Sequence, residues 1–400
     1  VETKPVRSPN APIDMVGQRL GLWTVLRHEH GGHWVARCDC GTERVVRGSS
    51  LRQGRSKGCG HCGQSNKEPL RERAPADRST LIRRQNVDTQ AVIDAIHELP
   101  LIDLAPPRMP AVGVGKDNAE EIAVLHISDV QYGKVTESYS SDVARERLLQ
   151  LAAHAMRIID VRKRAAKITE LRLYLGGDII EGQTIFKGQA YRIDAPVYVQ
   201  AIHGASASLA KVVLQLLQVV QRIQVFCVRG NHGRDDDGSP GNWDNVTYEM
   251  LKYRLLGGDD VPGGSTGRSE IARRLSFQDI GKTWYAVDRV YDWGNLIVHG
   301  DQFRGAFLGN GFRTRASGWI DSIPEAWDYL WFGHFHQHGA MVLNRRVLLA
   351  NGTTESDNDY AQESFAATGD PTQRLAFFNR KYGIVADCPI YLGMRHPNRK

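Results

Sequence analysis

Apolar runs are short throughout this chain, and none approaches the roughly 18–20 residues that a bilayer-spanning helix demands. No segment therefore reads as a membrane span, and no membrane partner is expected. The opening residues, VETKPVRSPNAPID, carry no apolar stretch behind their basic positions and lack the pattern of a secretion signal. A cytoplasmic location is the expectation. Cysteine is scarce, with six in 400 residues, too few for a disulfide scaffold in a chain of this length. Internal repeats and low-complexity tracts are missing as well, which excludes solenoids and biased linkers. What remains is ordinary globular composition, 41% hydrophobic and 24% charged, in a chain long enough for two or three domains.

The few cysteines are unevenly placed. Cys38, Cys40, Cys59 and Cys62 crowd together, while Cys227 and Cys388 stand alone. Two close pairs separated by a short excursion suit a tetrahedral structural zinc ion in a reducing compartment. The fourth ligand is open, because His61 competes with Cys62 by spacing. The net charge of +6 is uneven too: residues 1–66 hold ten Lys and Arg against five Asp and Glu, whereas residues 67–118 and 119–400 are nearly balanced. Between the cysteine pairs lie Arg44, Arg47, Arg52, Arg55 and Lys57. A basic loop on a zinc-stapled module can grip a phosphate backbone without reading sequence, so nucleic acid is the expected partner, with a merely solubilising surface as the alternative. Short strands are expected at Trp34–Arg37 and Arg44–Arg47. We divide the chain into a zinc-binding module at 1–66, a linker at 67–118 with a helix over Thr89–Leu99, and a larger domain at 119–400.

From Glu121 onward, short β-rich apolar runs alternate with helical segments, the pattern of an α/β fold. Each run ends in polar residues. EIAVLHISD ends at Asp129, LRLYLGGD at Asp178, IQVFCVRGNH at Asn231 and His232, NLIVHGD beside His299, and YLWFGHFH at His334 and His336; a sixth run, RVLLANG, follows. Ligands in open α/β folds gather where strands end, since side chains leave the sheet there and converge. Carboxylates, imidazoles and an Asn carbonyl suit Mn, Fe or Zn. A carboxylate bridging two such ions would let both act on one phosphoryl group.

The ordered set Asp129-Val-Gln131, Gly177-Asp178-Ile-Ile-Glu181, Gly230-Asn231-His232, His299 and Gly333-His334-Phe-His336 resembles the calcineurin-like metallophosphoesterases over about residues 121–355. The resemblance implies a four-layer α/β/β/α sandwich and two divalent metal ions. It places one ion on Asp129, Gln131, Asp178 and His336, and the other on Asp178, Asn231, His299 and His334. His232 would protonate the leaving oxygen, and Glu181 would hold that imidazole charged. Gln131 departs from the family pattern, which has a histidine there; a neutral amide oxygen is a weaker donor to such a metal. Gly182 and Gly233 stand where the protein phosphatases carry an Arg and an acid. The cysteine segment resembles small zinc modules of phage and bacterial proteins, some beside endonuclease domains.

Arg234 follows the Gly-Asn-His-Gly turn and is the candidate phosphate contact, with Arg304, Arg313 and Arg315 nearby in sequence. The acidic, Gly-rich stretch 233–245 reads as a loop that could cover the cleft. Trp243, Trp293, Trp319, Trp327 and Trp331 fit packing more readily than base stacking. The favoured expectation is a metal-dependent phosphodiesterase acting on DNA, a nuclease. Alternatives are a phosphatase or phosphodiesterase for small nucleotides or phosphoproteins, and a non-catalytic nucleic-acid-binding protein.

Overall fold

A computed structural model describes residues 14–60, 120–235, 241–257, 266–278, 284–304, 307–356 and 370–393. His61, Cys62 and the expected linker helix over Thr89–Leu99 lie outside these residues. The chain separates into two units, Val1–Gln90 and Ala91–Lys400.

The first unit is an antiparallel meander of β1 (Arg19–Leu20), β2 (Trp23–His30), β3 (His33–Cys38) and β4 (Glu43–Arg47), followed by the short helix α1 (Gly48–Arg52). The β2–β3 hairpin turns through Gly31 and Gly32, both at positive φ. Two left-handed residues are what a tight hairpin loop needs to match strand twist, and glycine takes that conformation without a Cβ clash. Met15, Trp23, Val25, Trp34, Ala36 and Leu51 form a small core that also buries Cys38 and Cys59.

The second unit contains two mixed sheets. In one the order is β15-β14-β5-β6-β7-β8, built from β5 (Glu120–Ile127), β6 (Lys167–Leu175), β7 (Arg222–Cys227), β8 (Leu275–Phe277), β14 (Thr372–Asn379) and β15 (Gly383–Tyr391). The other, in the order β12-β13-β11-β10-β9, comprises β9 (Tyr285–Val290), β10 (Trp293–Val298), β11 (Tyr329–Phe332), β12 (Gly339–Leu343) and β13 (Arg346–Ala350). Strands β5 to β8 pair in parallel, as do β10, β11 and β13. Strands covered on both faces read as unbroken apolar runs rather than alternating ones. In β5 every residue after Glu120 is buried.

One face of the six-stranded sheet buries its side chains with α2 (Ser141–Arg162), α3 (Ser206–Leu216), α4 (Trp243–Leu256) and α5 (Thr266–Arg274). Helix α2 supplies Ala144, Leu148, Leu151, Ala152, Ala155 and Ile159, a single helical stripe. Helix α6 (Asn310–Ser322) packs Phe312, Ala316 and Trp319 with Leu296, Leu330 and Leu348 of the five-stranded sheet. Residues of both sheets share a third core, in which Val124, Tyr174, Phe226 and Phe378 meet Ile297, Tyr329, Trp331 and Leu349. A buried polar link spans the same space: the Tyr174 hydroxyl donates to Asp288 at 2.8 Å, and Arg172 lies 3.1 Å from that carboxylate. Trp331 is fully buried in this core, so Trp331→Ala should cost about 3–5 kcal/mol of stability. Denaturant unfolding with an unchanged m-value checks this, and a cost below about 1 kcal/mol would refute the shared core.

Candidate active site

The parallel strands run the same way, so their carboxyl ends open on one edge. Asp129 and Gln131 follow β5, Asp178 and Glu181 follow β6, Asn231 and His232 follow β7, His299 follows β10, and His334 and His336 follow β11. Asp129, Gln131, Asp178, His334 and His336 have φ between 46° and 69°. Non-glycine residues resist that left-handed conformation, so strain is concentrated where candidate ligands turn inward. Gly230 makes the tightest approach: a Cβ there would lie 2.0 Å from Asp178 Oδ1.

Ligand atoms of Asp178, His299 and His334 all lie within 4.8 Å of one another. His299 Nε2 is 3.0 Å from both Asp178 Oδ2 and Asn231 Oδ1, while its Nδ1 faces the Gly176 carbonyl at 2.9 Å. Asp178 Oδ2 is buried without an aligned hydrogen bond. A buried carboxylate oxygen needs a cationic partner, which a protonated His299 or a metal ion can supply. Burial favours a neutral Asp178, but His299 and His232 outweigh it and hold the carboxyl far below its usual range. Burial lowers His299 too, yet Asp178 prevails and lifts it to about 10. Burial and the His299 charge push His334 down to about 3, leaving a neutral imidazole with a free electron pair. One carboxylate, one amide oxygen and two imidazoles fit a borderline divalent ion.

Asp129, Gln131 and His336 form a second group. Asp129 Oδ1 accepts from the His334 amide at 2.9 Å and lies 3.5 Å from His336 Nε2. Two further residues enter here that sequence reasoning missed. Lys134 donates to Gln131 Oε1 at 2.9 Å and sits 2.8 Å from the buried Glu355, whose other oxygen is 3.4 Å from His336 Nδ1. Glu355 follows β13, the sixth apolar run, so the strand-end argument applied once more would have found it.

His232 Nδ1 lies 3.0 Å from Glu181 Oε2, and the His232 amide donates to Asp178 Oδ1 at 2.8 Å. Burial works against the imidazolium, but Glu181 and Asp178 overcome it and raise His232 to about 9. The half-exposed Phe186 ring packs on His232 at 4.8 Å between centroids. Beneath these residues is Asp244, also missed. Stretch 233–245 is not a loop to its end: Asn242 caps α4, which begins at Trp243, because its side chain accepts from the Asp244 amide. The fully buried Asp244 carboxylate accepts from the amides of Asp178, Ile179 and Gly230 at 2.8–3.0 Å.

Arg234 pairs with Asp301 at 2.9 Å and lines a cavity with Arg229, Asn242 and Trp284. Arg304, Arg313 and Arg315 are exposed, the last two on α6. Trp319, Trp327 and Trp331 are buried and unavailable to a base. In the first unit, the sulfurs of Cys38, Cys40 and Cys59 lie within 4.8 Å of one another, a spacing one zinc ion can span. Arg44, Arg47, Arg52, Arg55 and Lys57 are exposed. No helix among the described residues is long and apolar enough to cross a membrane.

No protein-family model matches the chain, and no curated protein matches it. Similar solved structures include vacuolar protein sorting 29 from Cryptosporidium parvum, 14% identical, covering 68% of this chain and 99% of that one with a TM-score of 0.32. The zinc complex of its Entamoeba histolytica counterpart is 11% identical, covering 68% and 99% with a TM-score of 0.30. An archaeal phosphodiesterase is 9% identical, covering 67% and 99% with a TM-score of 0.31. Likenesses this slight carry no argument, so function rests on the side chains themselves.

Removing the Asp244 carboxylate strands three buried amides. Asp244→Ala should cost about 2–4 kcal/mol and weaken metal uptake, with Asp244→Asn milder. Chemical denaturation and equilibrium dialysis check both, and an unaltered Asp244→Ala protein would show that the carboxylate holds nothing in place.

Proposed function

We propose that the chain is a metal-dependent phosphodiesterase with DNA as its substrate, built as a four-layer α/β/β/α sandwich with a zinc-stapled basic module. The observation that carries the catalytic reading is the placement of His232 between Glu181, 3.0 Å from its Nδ1, and Asp178, which accepts from its amide at 2.8 Å, beside a divalent-type ligand set. Asp178, Asn231, His299 and His334 would hold a divalent ion, which would supply Lewis acidity for phosphoryl chemistry. The chain's own groups do the rest. His232 stands at the mouth with a proton to give, and a departing alkoxide needs one. Glu181 keeps that proton in place at neutral pH. Asp244 fixes the loops that aim Asp178 and Asn231. Phe186 offers an exposed ring beside the proton donor, a platform for a base. The exposed arginines of the first unit support a phosphate-backbone contact, and its cysteines support a structural zinc ion, with the fourth ligand from His61 or Cys62.

Incubation with Mn²⁺ should release dye from bis-p-nitrophenyl phosphate and also cut single-stranded or duplex DNA. Dye release without DNA cutting would move the substrate to small diesters, and neither would end the enzyme reading. His232→Ala should lower kcat by about 10²–10⁴ while metal uptake stays unchanged. Because Glu181 raises the pKa of His232 and favours its protonated form, kcat should fall on an alkaline limb. Glu181→Gln removes a raising charge, so the limb should move to lower pH; a stationary limb would exclude His232 as the donor. Replacing Arg44, Arg47 and Arg52 with Ala should weaken DNA binding and flatten its dependence on salt by about 0.9 log unit per lost contact. Fluorescence anisotropy across a salt series measures that slope.

A further inference from the structure

Resting on the phosphodiesterase reading, we propose that the centre holds one metal ion, with the Lys134 ammonium taking the role of a second cation. Gln131 then directs its amide N–H toward the substrate phosphate instead of giving its oxygen to a metal.

The position of the Lys134 ammonium, between Gln131 and Glu355, carries this. Gln131 has one carbonyl oxygen, and that oxygen accepts from Lys134 Nζ at 2.9 Å. Its Nε2 lies 3.2 Å from His336 Nε2, which can accept because the Nδ1 of that ring faces Glu355, and 3.3 Å from His232 Nε2, a second donor, so both donors open on the interior of the site where an anion can accept from them. An amide nitrogen with two hydrogens has no electron pair to offer a metal. Turning the amide over would set its NH₂ group against an ammonium, donor against donor.

Lys134 is in turn fixed. Its amide closes a turn onto the Gln131 carbonyl at 3.0 Å, and its side chain, only 14% exposed, ends 2.8 Å from the buried Glu355. Glu355 needs that cation, because a buried carboxylate without one is costly. The Lys134 charge also reaches His232 and Glu181, which places it within the field of the reacting groups. A second divalent ion on Asp129, Gln131 and His336 would have to displace Lys134 from Gln131 and bear its repulsion. Among the described His, Cys, Asp and Glu side chains of this unit, Asp178, His299 and His334 are the one group of three with ligand atoms within 4.8 Å of one another. A fixed ammonium can neutralise phosphate oxygens as a metal does, although it does not activate water.

The test counts ions on the full-length, zinc-loaded protein by titrating Mn²⁺ and recording electron paramagnetic resonance spectra. Mn²⁺ avoids thiolate sites, so the cysteine module does not enter the count. The wild type should bind about one Mn²⁺, lost in His299→Ala, with the six-line hyperfine pattern of an isolated ion. Gln131→His combined with Lys134→Met should bind about two, with an exchange-coupled spectrum. Two coupled ions in the wild type would overturn the proposal and leave the phosphodiesterase reading standing. A single ion in the double variant would overturn Lys134 as the occupant of the second position. Uptake by the wild type no greater than by His299→Ala would overturn both readings.

Discussion

A single buried carboxylate ties the candidate site to the fold. Asp244 sits at the start of α4 and gathers backbone amides from the loops after β6 and β7. Those loops carry Asp178 and Asn231, which face His299 from the other sheet. Desolvation makes this carboxylate expensive: burial and the Asp178 charge raise it to about 6, and the amide hydrogen bonds and the His299 charge offset them in part. The cost is consistent with a site whose ligands come from distant parts of the chain and must be held before any ion arrives.

Charge in the site is organised in depth. Asp129, Asp178, Glu181 and Glu355 are buried, while His232, His334 and His336 are slightly exposed at the opening. Each acid has a cationic or imidazole partner, so the negative floor is balanced without closing the mouth. The two imidazoles nearest Asp178 illustrate how environment divides roles. His299 contacts the carboxylate directly, which raises its pKa, whereas His334 lies against His299, and burial together with that ring's charge lowers its pKa. A cation bound among them would displace the proton on His299, since both favour the same carboxylate field.

Much of the fold was legible because buried parallel strands leave continuous apolar runs. The segments ending near Asp129, Asp178, Asn231, His299 and His334 are all strands, and their polar ends come to one edge. Stretch 233–245 reads as a loop to its end because its Asp and Gly content matches a solvated turn, yet its last three residues open α4. Nothing local distinguishes Asp244 from a surface acid; its burial follows from the loops that fold over it. Lys134 was equally hidden, because a lysine three residues after Gln131 reads as solvated until Glu355 arrives from 221 positions away in the chain. Phe186 lay in a stretch without periodicity and gave no signal.

By itself the sequence determined which residue types end each strand and that the basic surplus accompanies the clustered cysteines, because both are properties of local order along the chain. Only the tertiary structure decided which partner each polar group meets. Gln131 looks like a weak ligand in the sequence, yet in the folded protein its oxygen belongs to Lys134, and that ammonium belongs equally to Glu355. Hydrogen-bond direction is set by what lies across the gap, and those neighbours are brought together only when the two sheets pack.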